Sequence, residues 1–155
     1  MRDGRDGKRY VFIGHEFTTR GGTKKRFRNA IAKALSRTPY TPLYADDIEN
    51  RHERVLEDIT RKIRGSEFCI FDLTSYKEQG VLGKNLNVIL EIGIGIGAGK
   101  QAFVAFREKG IDLNTELSDL LGRYWYSYKK YEELIKDIEE FIKSKQSKEG
   151  SRKTL

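Results

Sequence analysis

The chain has little of what staples, kinks or anchors a fold. Its 155 residues include one cysteine (Cys69), two prolines, two histidines, one methionine and one tryptophan. One cysteine excludes a disulfide framework within the chain and a Cys-rich zinc site, and two histidines supply a His-based site poorly, so no metal is expected. No apolar run approaches the roughly 18 residues that span a bilayer, and the opening MRDGRDGKRY has no apolar signal core. No membrane partner is therefore expected, and the expected compartment is the cytosol. Acidic residues are in deficit as well: 30 Lys/Arg face 23 Asp/Glu, for a net charge of +7.

What is present suits one charged globule, with 37% hydrophobic and 34% charged residues. A chain of this length buries about 70% of its unfolded surface and needs no staple. The positive excess is local. Residues 1–40 hold eleven Lys/Arg against three Asp/Glu, and the rest is nearly balanced. Arg20, Lys24, Lys25, Arg26 and Arg28 form its centre. Two or three of these suffice for a nucleotide phosphate, which ranks ahead of duplex nucleic acid; a solvated helix face is the plain alternative.

Apolar patterning alternates between short buried strands and amphipathic helices. Tyr10-Val11-Phe12-Ile13 reads as a strand ending at Gly14, and Phe27, Ile31 and Leu35, with Ala30 and Ala34, mark a helix over 24–35. Pro42-Leu43-Tyr44-Ala45 reads as a strand in which Pro42 takes a start or an edge. Ile48, Val55, Ile59 and Ile63 mark a helix over 49–64, and Phe68-Cys69-Ile70-Phe71 a strand ending at Asp72. Residues 102–106 and 124–126 read as strands, 116–121 as a short helix, and 131–141 as a helix. Residues 1–9 form a basic arm, 10–143 the domain, and 144–155 a disordered Lys/Ser-rich tail. The alternation predicts a single α/β domain of the doubly wound, flavodoxin-like type, with five parallel strands in the order 2-1-3-4-5. Ligands in such sheets bind where the strand order reverses, here between the loops 14–23 and 72–87.

Residues 85–100, NLNVILEIGIGIGAGK, admit three readings. A phosphate-binding P-loop fails, because Gln101 follows Gly99-Lys100 where a hydroxyl is required, and a strand comes next instead of a helix. A strand running into a glycine loop matches Gly93-x-Gly95-x-x-Ala98 and resembles the first motif of S-adenosylmethionine-dependent methyltransferases. Too little chain follows, however, for the rest of such a domain. The third reading is a helix capped by Asn85 or Asn87, with Val88, Ile92 and Ile96 as its apolar stripe and Glu91 turned into the ligand crevice.

With Phe12-Ile13-Gly14 before a basic helix, then Phe71-Asp72-Leu73-Thr74, then Asn85-x-Asn87-Val88-x-x-Glu91-Ile92-Gly93, the chain resembles the nucleoside 2-deoxyribosyltransferase-like superfamily. That group includes deoxynucleotide N-hydrolases and is similar in fold to TIR domains, many of which cleave NAD. Several members have Asp-x-Gly-Thr where this chain has Asn85-Leu86-Asn87-Val88, a departure that suits the TIR-like branch. The resemblance implies an N-glycosidase of a nucleotide, deoxynucleotide or NAD, with Glu91 and Asp72 catalytic. Gly14, His15, Glu16, Arg20, Thr74, Asn85 and Asn87 would then bind substrate. It implies no cofactor, NAD being a substrate, and a homo-oligomer. A carboxylate in this role stabilises or captures the oxocarbenium-like sugar formed as the N-glycosidic bond breaks. The alternative is a non-catalytic TIR-like sensor or self-assembly module.

Each candidate also has a structural reading. Glu91 could accept hydrogen bonds near a helix start, Asp72 could build a turn, and His15 and Glu16 could be plain loop residues. Cys69, within a hydrophobic strand, is expected to be inert core.

Overall fold

A computed structural model describes residues 7–15, 23–45, 55–74, 86–107 and 125–152. Five strands alternate with four helices among them: β1 (Arg9–Gly14), α1 (Thr23–Leu35), β2 (Tyr40–Tyr44), α2 (Val55–Arg64), β3 (Phe68–Asp72), α3 (Leu86–Gly97), β4 (Ala102–Arg107), β5 (Trp125–Tyr128) and α4 (Tyr131–Arg152). The strands form one sheet in the order β2-β1-β3-β4-β5, every pair parallel. This is the expected flavodoxin-like order. The short helix expected at 116–121 lies outside the described residues.

Side chains of a strand alternate between faces, which sorts the core into two halves. Val11, Ile13, Phe68, Ile70 and Phe103 pack with Phe27 and Ile31 of α1 and with Leu134, Ile138 and Phe141 of α4. Phe12, Cys69, Phe71 and Val104 pack with Ile59 and Ile63 of α2 and with Val88 and Ile92 of α3. The sheet is therefore covered on both sides, which is why β3 is apolar at every position before Asp72.

The glycine-rich segment is helix α3, as the third reading has it, and the methyltransferase-like alternative falls. Four sequence expectations need correction. Within α3, Val88 and Ile92 are buried but Ile96 is 53% exposed, and Gly95 is buried in its stead. Residues four apart drift about 40° around a helix, whereas seven apart nearly realign, so position 95 returns to the sheet and 96 does not. Val55 of α2 is likewise exposed. β2 begins at Tyr40, which puts Pro42 mid-strand opposite Val11, tolerated because β2 is an edge.

The fourth correction is the C-terminus. Instead of giving way to a disordered tail after residue 143, α4 continues to Arg152. Lys145 anchors the extension: its Nζ donates to Gln101 Oε1 at 2.6 Å and lies 4.6 Å from the centre of the Phe68 ring. Ser144 and Ser147 donate their hydroxyls to the carbonyls of Phe141 and Ser144, as serines within a helix can.

The end of α3 explains the Gly99-Lys100 pair. Gly99 has φ +71°, its N–H bonds the Ile96 carbonyl at 2.9 Å, and the Lys100 N–H bonds the Gly95 carbonyl at 3.0 Å. This is a Schellman cap, and glycine stands where the left-handed residue is required.

Candidate active site

The site follows from the order reversal between β1 and β3. At its carboxyl end β1 finishes on Gly14, which lies beside Phe71 of β3 and on the α2/α3 side of the sheet. Glu91, in the second turn of α3, turns inward over this point and is 2% exposed. A methyl group on Gly14 would collide with Glu91 Oε2 and would come within 2.6 Å of the Phe71 ring. Gly14 is thus the notch that admits the carboxyl, a role other than the substrate contact that the resemblance implies.

Electrostatically, Glu91 is unusual. Its Oε2 is buried and has no hydrogen-bond partner among the described residues. Burial pushes the carboxyl up to about 8 by stripping the charged form of its hydration. The plain reading, a carboxylate comforted by a helix start, does not fit: Glu91 lies beyond the first turn of α3, where the end effect has faded.

Asp72 occupies the other face. Its Oδ1 accepts from the Thr74 backbone N–H at 3.1 Å and from the Thr74 hydroxyl at 2.5 Å, and its Oδ2 accepts from the Tyr128 hydroxyl at 3.2 Å. Thr74 Oγ1 in turn accepts the Arg107 N–H at 2.9 Å, so the network joins the ends of β3, β4 and β5. Strand alternation turns Asp72 toward the α1/α4 layer, where Tyr128 packs, whereas Glu91 reaches the sheet from α3 on the opposite face.

His15 continues β1 on the α1 side, 8% exposed. Its Nε2 accepts from Arg28 Nε at 3.1 Å, which requires that nitrogen to be unprotonated. The Arg28 guanidinium lies 3.9 Å from the centre of the Tyr44 ring, and His15 meets Phe27 and Tyr44 edge-on. His15 is therefore built into the packing of α1 on β1 and β2. Asn87 lies inside α3 and is exposed, so it is no N-cap. Glu16, Arg20 and Asn85 lie outside the described residues. Sequence reasoning missed Phe71, Tyr128 and the individual place of Arg28. Phe71 carried a signal in its position just before Asp72, while Tyr128 carried none.

A family model for the TIR domain of CAP12/Pycsar effector proteins matches residues 10–130. The chain belongs to this TIR domain family. In the TIR-family chain, that match covers both Gly14 and Glu91. Among solved structures, the CMP N-glycosidase BcmB of Clostridium botulinum is similar with a TM-score of 0.60 and 17% identity, over 86% of this chain and 99% of that one. A 2-deoxyribosyltransferase from Leishmania mexicana is similar with a TM-score of 0.56 and 14% identity, over 69% of this chain and 70% of that one. At these identities the likeness is one of fold. Comparison with curated proteins finds no significant match.

Proposed function

We propose that this chain is an N-glycosidase acting on a nucleotide or on NAD, with Glu91 as its reacting carboxyl. The observation that supports this most is the buried, unpartnered Glu91 oxygen held against Gly14 where β1 and β3 part. A group that costs stability and makes no bond is the kind that sites of reaction retain. The resemblance to nucleoside-transferring enzymes and the names of the two solved relatives agree with the reading.

When the C1′–N bond breaks, its electron pair leaves with the base and positive charge builds on the sugar. An ionised Glu91 stabilises that charge or forms an ester at C1′, and water then supplies the new oxygen, its proton passing to solvent or base. NAD suits this site in one respect. Its nicotinamide is a cation that departs as a neutral base without needing a proton, and its approach favours ionisation of a neutral buried carboxyl. Asp72 contributes by positioning, since it ties Thr74 at the end of β3.

The test is release of free base or nicotinamide from NAD, CMP and deoxynucleoside monophosphates by purified protein. Glu91→Gln is expected to lower turnover by about 100-fold or more with the fold unchanged. Equal turnover in parent and variant would remove Glu91 from the chemistry. Tight nucleotide binding with no base released by the parent would favour the sensor instead.

A further inference from the structure

Two glycines from distant parts of the chain make room for the same ring. A methyl group on Gly14 of β1 would come within 2.6 Å of Phe71 Cδ1 and 3.0 Å of its Cε1. One on Gly95 of α3 would lie 3.5 Å from Cζ and 3.7 Å from Cε2. The ring therefore runs from the end of β1 at one edge to α3 at the other. Gly95 follows Glu91 by four residues, on the same side of the helix, so the ring passes beneath the turn that carries the carboxyl. The methyl group on Gly14 would also collide with Glu91 Oε2, so oxygen and ring edge share one notch. Phe71 is fully buried, with Phe12 tilted against it at 6.0 Å between ring centres.

Among the described residues, the elements packed on this side of the sheet present apolar groups: Phe71 of β3, Ile59 and Ile63 of α2, and Val88 and Ile92 of α3. Three titratable neighbours remain. Cys69 is neutral, its thiol pushed up to about 12 by burial. His15 and Asp72, next along β1 and β3, bond Arg28 and Tyr128 on the opposite face. Excluding water disfavours the charged form of a carboxyl. A phenyl ring takes the place of about three waters, at roughly 30 Å³ each. Removing it would open a space bordered by Glu91 Oε2, an acceptor that gives entering water a polar partner. We infer that Phe71 is a positioning residue for Glu91: its ring walls the carboxyl off from water between sheet and helix, and so decides when it is charged. For catalysis this rests on the N-glycosidase reading, in which the ionised carboxyl reacts; the ionisation itself does not.

Carbon NMR of the glutamate carboxyls from about pH 4 to 9 reads this in the free protein, the Glu91 signal being the one lost in Glu91→Gln. The parent is expected to ionise near 8. Phe71→Leu refills the wall with apolar atoms and is expected to stay within about half a pH unit of the parent. Phe71→Val is expected to ionise about one unit lower, and Phe71→Ala lower still, as water reaches the oxygen. Because Phe71→Ala can leave the core too empty to fold, the Leu and Val variants carry the comparison by themselves. A parent that ionises near 4.5 overturns the inference, as does a Phe71→Val variant that ionises where the parent does. In assays of base release, the rise of kcat/KM with pH is expected to move down with the NMR value in Phe71→Val, a displacement that lost stability alone does not produce. A rise that stays in place while the carboxyl moves would deny the wall its part in catalysis. A moved carboxyl with no base released by parent or variant retains the wall and removes the N-glycosidase reading; an active parent with an unmoved carboxyl does the reverse.

Discussion

On the proposed reading, Glu91 ties stability and activity to one proton. Unfolded, its carboxyl titrates near 4.5; folded, near 8. Between these values the folded chain holds a proton that the unfolded chain has lost, so stability falls as pH rises. The contribution is whole below the lower value and gone above the higher one. In the Glu91→Gln variant the loss is absent. Thermal unfolding from pH 4.5 to 8.5 should therefore show the parent falling behind the variant by on the order of 1.4 kcal/mol per pH unit at most. Parallel curves would mean that the carboxyl is hydrated. If the ionised carboxylate does the chemistry, kcat/KM should climb with pH toward a plateau above about 8, the value that burial gives the free protein. A profile that declines over that range would assign Glu91 the role of acid.

At the scale of the element, α3 gives one substitution two signs. A methyl group on Gly95 would sit 3.5 Å from the Phe71 ring and 3.6 Å from Cys69 Sγ, which is ordinary contact. Gly95→Ala should stabilise by about 1 kcal/mol through helix propensity. Gly99→Ala should destabilise by about 1 kcal/mol, because the cap requires its left-handed backbone. Denaturant midpoints of the two variants, moving in opposite directions, check this; a shared direction would refute the assigned cap. The sequence announced a glycine-rich helix here but not which glycine did what. Whether a position faces sheet, solvent or a cap depends on the phase of the helix, and its stripe could be drawn through Ile96 or Gly95 equally well. The extent of α4 was hidden for a related reason: Lys145 stabilises the last turns through Gln101 and Phe68, residues remote in sequence.

Across the whole molecule, the Asp72 network joins three strands. Asp72→Ala would leave the hydroxyls of Thr74 and Tyr128 short of an acceptor in a buried setting. The expected cost is about 2–3 kcal/mol, a fall in Tm of roughly 5–10 °C for a chain of this size. Tyr128→Phe should cost about 1 kcal/mol, since it removes the bond from the Tyr128 hydroxyl to Asp72. Calorimetry distinguishes the two; an Asp72→Ala variant as stable as the parent would show the network to be dispensable.

Alternating strands and helices and the burial of the α1 stripe were set by local periodicity, because 2.0 and 3.6 residue repeats are properties of neighbours along the chain. Glu91 was also legible as a candidate, through the motif series that carries the resemblance. Its chemical state was not. Only tertiary structure brought Gly14 of β1 beneath a helix 77 positions on, burying the carboxyl with its Oε2 unpartnered among the described residues and raising it to about 8. It was tertiary structure, too, that turned Asp72 to the opposite side, since the face a strand residue takes is defined only once helices cover the sheet.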